Sequence, residues 1–147
     1  MSERPEALLG IAGELHHVAI VVRSLSVARG AWEALGVVCG EPEFVEDQDV
    51  NVLVCTIGGQ RIELVEPASE DSPVSRFLER RGPGLHHLAF EVADCAGAIE
   101  EARARGLELI DEAPRPGSHG TTIAFLHPRA TGGVLCELVE DPSRAAH

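Results

Sequence analysis

Histidine pairs and single glutamates recur in this chain at matched positions, and together they could hold a divalent cation. The pairs are His16-His17 and His86-His87, and the glutamates are Glu63 and Glu137. Imidazole nitrogen with carboxylate oxygen suits Mn, Fe, Co, Ni or Zn better than Ca or an ion that prefers thiolates. Each glutamate sits in an apolar run, between Ile62 and Leu64 or between Cys136 and Leu138. A carboxylate in such a strand faces away from those neighbours and, once buried, needs a partner, because an unpaired buried charge is costly. Side chains alternate along a strand, so one histidine of each pair is expected to face the interior of a curved sheet. Spacing alone does not say which one. Taken singly, a strand histidine is more often a hydrogen-bonded core or surface residue, and a strand glutamate more often faces solvent. Recurrence in both halves is what argues for a shared site. Glu66 and Glu140 recur too, so one of the two glutamate pairs is structural or exposed.

The elements that must position these residues are themselves repeated. Leu15–Val22 (LHHVAIVV) reads against Leu85–Val92 (LHHLAFEV), 70 positions on (85 − 15). Ala28, Ala34 and Gly36 then meet Ala98, Ala104 and Gly106. Glu63–Glu66 (ELVE) matches Glu137–Glu140 (ELVE) at an offset of 74 (137 − 63), a drift of one modest loop insertion. Each copy opens with an apolar strand, His17–Val22 or His87–Val92. A helix follows, about Leu25–Leu35 or Cys95–Arg105, with Ser24 or Asp94 as cap and Gly36 or Gly106 as the residue after its end. Strands are expected at Val37–Val45, Val50–Ile57 and Arg61–Val65, and at Glu108–Ala113, Thr121–Leu126 and Val134–Val139. The fold class is therefore α+β, two βαβββ modules forming a curved mixed sheet. The boundaries are an N-terminal extension (1–14), a first module (15–67), a linker (68–84), a second module (85–141) and a C-terminal tail (142–147). The linker holds a short helix at Pro73–Arg81, with Ser72 as its cap and Pro73 at the first helical position.

Composition narrows the function classes. Hydrophobic residues make up 44% of the 147, enough for a packed interior. The net charge is −12, and all twelve basic residues are arginine, which argues against nucleic-acid binding through a basic face. No apolar run approaches the roughly 20 residues of a membrane-spanning helix. The first fourteen residues carry no secretory or organellar pattern, so a cytoplasmic location is expected. The four cysteines show no metal-type spacing, and reduced, buried thiols are the expectation.

The second half carries more specific strings: Glu70-Asp71-Ser72-Pro73 leading to Phe77-Leu78, then Gly82–Phe90 (GPGLHHLAF). Asp111–Gly117 (DEAPRPG), Phe125–Pro128 (FLHP) and Gly132–Leu138 (GGVLCEL) follow. With these, from about His16 to Glu140, the chain resembles the vicinal oxygen chelate superfamily (glyoxalase/bleomycin resistance/dioxygenase) and, within it, the methylmalonyl-CoA epimerase family. The resemblance implies metal ligands at His17, Glu63, His87 and Glu137, and so chooses the second histidine of each pair. It implies cobalt(II) as the usual ion, with Mn, Ni, Zn or Fe substituting, an acyl-CoA thioester substrate and a homodimer. The reaction implied is removal of the proton on the carbon between a thioester and a carboxylate, with return on the opposite face. Such a weak carbon acid needs enolate stabilisation and a base on each face. One base in the family is the last metal-ligand glutamate, here Glu137. The other lies in a Glu-Glu-Gln-Gly-Val stretch.

That stretch reads Glu46-Asp47-Gln48-Asp49-Val50 here, which puts Asp47 at the base and Asp49 at the glycine. Aspartate is one methylene shorter, and a misplacement of about 1 Å can cost on the order of a hundredfold in rate. The loop shifts to bring Asp47 in, or Glu46 takes the role, or the substrate differs. The first helix departs too, with Ala31-Trp32-Glu33 where the family has Phe-Tyr-Glu. His127 reads as structural, His119 could approach a substrate from its loop, and Arg115 or Arg80/Arg81 could meet a CoA phosphate. Other readings are a dioxygenase or lyase of the same fold, against which Glu63 and the second-half strings argue, and a non-catalytic small-molecule-binding protein.

Overall fold

The computed structural model describes residues 11–144. Most of the expected extension (1–14) and half of the tail (142–147) therefore lie outside the described residues. The elements are β1 Leu15–Val21, α1 Leu25–Ala34, β2 Val38–Cys39, β3 Glu43–Val45, β4 Val50–Ile57, β5 Gln60–Pro67 and α2 Pro73–Arg81. The second half adds β6 Gly84–Glu91, α3 Cys95–Ala104, β7 Arg115–Pro116, β8 Thr122–Leu126 and β9 Cys136–Glu140. All nine strands join one mixed sheet, in the order β2-β4-β5-β1-β6-β9-β8-β7, with β3 also on β4. The expected α+β architecture of two related modules is what forms.

The repeat dictates the register. β1 runs parallel to β5 with Ala19 opposite Glu63, and β6 runs parallel to β9 with Ala89 opposite Glu137. The modules meet where β1 and β6 pair antiparallel, with His17 opposite Ala89 and Ala19 opposite His87. Partners in register share a face of the sheet. His17, Ala19, Glu63, His87, Ala89 and Glu137 therefore converge on one face, around a local two-fold. Ala19 and Ala89 are fully buried and small, which leaves room between the polar groups.

The opposite face is closed by the two repeated helices. α1 covers Leu53 and Leu64 through Leu25 and Trp32, and α3 covers Ala124 and Leu138 through Ile99 and Ala102. Both helices end in positive-φ glycines, Gly36 (φ 97) and Gly106 (φ 75), as a residue after a helix C-cap requires. Their N-termini explain the second glutamate pair. Glu66 Oε2 accepts from the Leu25 N–H at 2.7 Å, and Glu140 Oε1 accepts from the Cys95 N–H at 2.8 Å. A carboxylate there satisfies a free N–H and faces the positive end of the helix dipole. Ser24 also caps α1 through Val27, whereas the side chains of Asp94 at the cap position of α3 and of Ser72 at that of α2 make no capping hydrogen bond.

Three expectations need correction. The strand expected at Val37–Val45 is two short strands separated by Gly40-Glu41-Pro42, since proline brings no N–H to a ladder. The strand expected at Glu108–Ala113 is largely irregular, with a single bridge at Leu109 to Leu126. There the Ile110 and Asp111 N–H groups share the Phe125 carbonyl, and the Asp111 carboxylate accepts from the Phe125 N–H at 2.8 Å. A side chain has replaced the ladder. Third, the expected alternation fails at the histidines. The β1–β6 register slips between Leu15 and His17 and between His87 and Leu85, so His16 and His86 are the extra residues of two bulges. No helix among the described residues is long and apolar enough to cross a membrane.

Candidate metal centre

The converging face forms the floor of a cavity of about 300 Å³. Its lining is mostly apolar, including Val45, Val52, Val65, Ile123, Phe125 and Val139, and His17, Glu63, His87 and Glu137 line it together. The bulges re-aim the first histidine of each pair, so both histidines of both pairs line this cavity.

Ligand-type atoms of His17, His87 and Glu137 lie within 4.8 Å of one another, and so do those of His16, His17 and Glu63. His17 belongs to both groups. Glu137 Oε1 is 3.2 Å from His17 Nε2 and 3.4 Å from His87 Nε2. Glu63 Oε2 approaches the other nitrogen, Nδ1 of His17, at 3.2 Å. The structure thus brings three of the four expected ligands into one cluster and sets Glu63 beside it. His17 Nε2 and His87 Nε2 are buried, and neither has a hydrogen-bond partner among the described residues. Two bare imidazole nitrogens facing a buried carboxylate are an arrangement that a divalent cation satisfies, so the residues present fit such an ion.

Electrostatics separates the two carboxylates. Burial pushes Glu63 above its ordinary range, outweighing the attraction of His17. Burial would raise Glu137 as well, but His87 and His17 outweigh it and hold that carboxyl down to about 2. Desolvation opposes the charged form of His17, yet Glu63 and Glu137 raise its pKa. His16 and His86 are lowered to about 4, in both cases chiefly by burial.

Asp47 stands apart. It is exposed, outside the cavity lining, and its Oδ2 accepts from Arg115 Nε at 2.8 Å. Arg115 does line the cavity and also reaches Asp111 at 3.2 Å. Glu46 is exposed as well. Asp49 adopts the left-handed conformation (φ 53, ψ 48), so the turn keeps a glycine-like backbone without glycine. Aspartate tolerates this region better than most residues, and its carboxylate accepts from Ser69 Oγ. Gln48, which the sequence did not single out, enters the cavity wall and donates to the Pro116 carbonyl at 3.3 Å. His119 is exposed and its N–H is held by Glu43 at 2.7 Å, while His127 Nδ1 accepts from the Arg129 N–H. Arg81 lies 5.7 Å above the Phe77 ring.

Residues 16–125 match the glyoxalase/bleomycin resistance protein/dioxygenase superfamily. An uncharacterised protein of Bacillus subtilis (strain 168) is 43% identical over 86% of this chain and 91% of its own length. The ethylmalonyl-CoA/methylmalonyl-CoA epimerase of Cereibacter sphaeroides is 36% identical over 86% of this chain and 96% of that protein. Among solved structures, a variant of Streptomyces coelicolor methylmalonyl-CoA epimerase in complex with 2-nitronate-propionyl-CoA superposes with a TM-score of 0.85. It is 32% identical and covers 90% of this chain and 96% of that one.

Proposed function

The chain belongs to the glyoxalase/bleomycin resistance protein/dioxygenase superfamily, among relatives that include methylmalonyl-CoA epimerases, and on that footing we propose that it is an epimerase. Its substrate is methylmalonyl-CoA or a close 2-substituted malonyl-CoA, inverted at C2 by a 1,1-proton transfer. The observation that carries this reading is the buried His17–His87–Glu137 cluster in a largely apolar cavity, with neither Nε2 atom having a hydrogen-bond partner among the described residues.

His17, His87, Glu137 and Glu63 would hold the divalent ion, with cobalt(II) the first choice and Mn, Ni, Zn or Fe also matched to these donors. Once bound, the ion supplies Lewis acidity where negative charge develops on the thioester oxygen. The apolar walls exclude water, which strengthens every charge interaction at the floor. Glu137, buried beside His17 and His87, is the base on one face of the α-carbon and takes or returns its proton there. Asp47 is the opposing base, at the rim beside Gln48, and it works by exchanging its Arg115 partner for the approaching substrate. The acyl-CoA binds through the cavity mouth, and the enzyme is a cytoplasmic homodimer, testable by light scattering.

In heavy water, the protein reconstituted with cobalt(II) should wash deuterium into the α-carbon of methylmalonyl-CoA. No exchange with metal-loaded protein would overturn the epimerase reading. Oxygen uptake with catechols would favour the dioxygenase of this fold instead.

A further inference from the structure

Behind His17 lies a chain of polar groups that the proposed reaction does not use. His16 Nδ1 is 2.7 Å from His17 Nδ1, and His16 Nε2 is 2.7 Å from Asp141 Oδ2. Asp141 Oδ1 accepts from the Ser143 N–H at 3.0 Å and from Ser143 Oγ at 2.7 Å. His16 and Asp141 are 3% and 5% exposed, far from the behaviour of surface decoration. A neutral imidazole has one N–H, and the partner of one nitrogen decides the role of the other. The Asp141 carboxylate can only accept, so His16 carries its hydrogen on Nε2. Its Nδ1 is then a lone pair, and the hydrogen on His17 Nδ1, at 2.7 Å, is a much nearer donor to it than Arg61 Nη1 at 3.4 Å. Glu63 Oε2, 3.2 Å from His17 Nδ1, is a second acceptor for that hydrogen. In the neutral form that can bind a cation, His17 is left with its lone pair on Nε2, the buried atom that has no hydrogen-bond partner among the described residues.

We propose that His16 and Asp141 are a tautomer lock, a positioning pair that keeps His17 Nε2 unprotonated and aimed at the cation. The inference rests on the metal reading above. It involves no gain or loss of a proton, only a choice of which ring nitrogen bears it. The competing arrangement is visible in the same cluster. Arg61 Nη1 lies 2.6 Å from His16 Nε2 and would donate to it if that nitrogen were bare. His16 would then hold its hydrogen on Nδ1, His17 would have to accept there, and His17 would turn an N–H toward the cation. A carboxylate 2.7 Å from a bare lone pair opposes that state, and Arg61 has Asp141 Oδ2 itself as an acceptor at 3.3 Å. Asp141 therefore selects the ligating tautomer.

The test titrates metal-free protein with cobalt(II) or zinc(II) by calorimetry and reads histidine tautomers by 15N NMR. Asp141→Asn keeps the shape of the carboxylate. The Ser143 N–H holds the amide oxygen, which turns the amide N–H2 toward His16 and imposes the wrong tautomer. Its metal affinity should fall about ten- to a hundredfold, the usual cost of losing such an outer partner, with His17 Nε2 becoming protonated. His16→Ala should lose affinity similarly. His16→Asn, whose Oδ1 takes the place of Nδ1 as acceptor, should recover most of that loss, whereas a mere packing role would leave both smaller residues equally weak. Unchanged affinity and unchanged His17 tautomer in Asp141→Asn would overturn the lock. Wild-type protein that takes up no divalent ion would overturn the metal reading and the purpose of the lock with it, while the NMR measurement still decides whether Asp141 sets the tautomer.

Discussion

The two modules present the same pair of adjacent histidines at the same kind of bulge, and then surround them differently. In both pairs the Nδ1 atoms meet, at 2.7 Å for His16–His17 and 2.8 Å for His86–His87. Behind His16 stand Asp141 and Arg61, whereas among the described residues His86 Nε2 has no side-chain hydrogen-bond partner, and the ring packs on Phe77. The glutamates differ in the same way: Glu63 is pushed up by burial, while Glu137, between two histidines, is held at about 2. Duplication has therefore copied the scaffold more faithfully than the environment. The histidine of the first module has its ring held from behind, by Arg61 of its own module and by Asp141 of the second, while the second module supplies the carboxylate that sits between the two histidines.

The largest effect expected from this difference is on catalysis. Glu137→Gln should reduce α-proton exchange by about 10³-fold, within the 10²–10⁴ typical of a lost acid–base group. Glu63→Gln should cost less, about tenfold to a hundredfold and mainly through metal affinity. Equal losses in kcat from the two variants would break the distinction between the modules. Next in size, Asp47→Asn should lower exchange by about 10²-fold while leaving calorimetric metal binding unchanged. A normal rate would move the second base elsewhere.

A smaller effect concerns acid stability. Burial opposes ionisation of Asp141, but hydrogen bonds from His16, Ser143 and Arg61 outweigh it and hold this carboxyl well below its ordinary 3.8. A depressed carboxyl stabilises the fold above its unfolded pKa and loses that contribution as pH falls through the folded one. The stability gap between wild type and Asp141→Asn in urea melts should thus be full near neutrality and shrink below about pH 4. A gap that is constant with pH would show that Asp141 contributes no charge to the fold. The smallest effects are on the part the modules share. Glu66→Gln and Glu140→Gln should each cost about 1 kcal/mol in the same melts, as for other lost helix caps. Clearly unequal costs would show that even the scaffold has diverged.

Much of the fold was legible because its signals are local or repeated. α2 falls on Pro73–Arg81, the span expected from its proline and cap, and β4 on Val50–Ile57, the apolar run expected as a strand. The strand expected at Glu108–Ala113 does not form because Asp111 competes with the ladder through its side chain, which hydropathy does not register. Asp49 illustrates the same limit, since only the turn shows that it adopts the glycine-like conformation.

The chain by itself determined that there are two modules, and that one histidine of each pair could share a face with Glu63 and Glu137, since strand period and repeat offset are properties of one dimension. It could not determine that His16 and His86 turn to the same side as their neighbours, because a bulge exists only in the register between two strands. Nor could it join His16 to Asp141, which lies at the far end of the second module. β6 lies between β1 and β9 in the sheet, and only the curvature of the closed sheet brings the carboxylate that follows β9 across to the back of a histidine on β1.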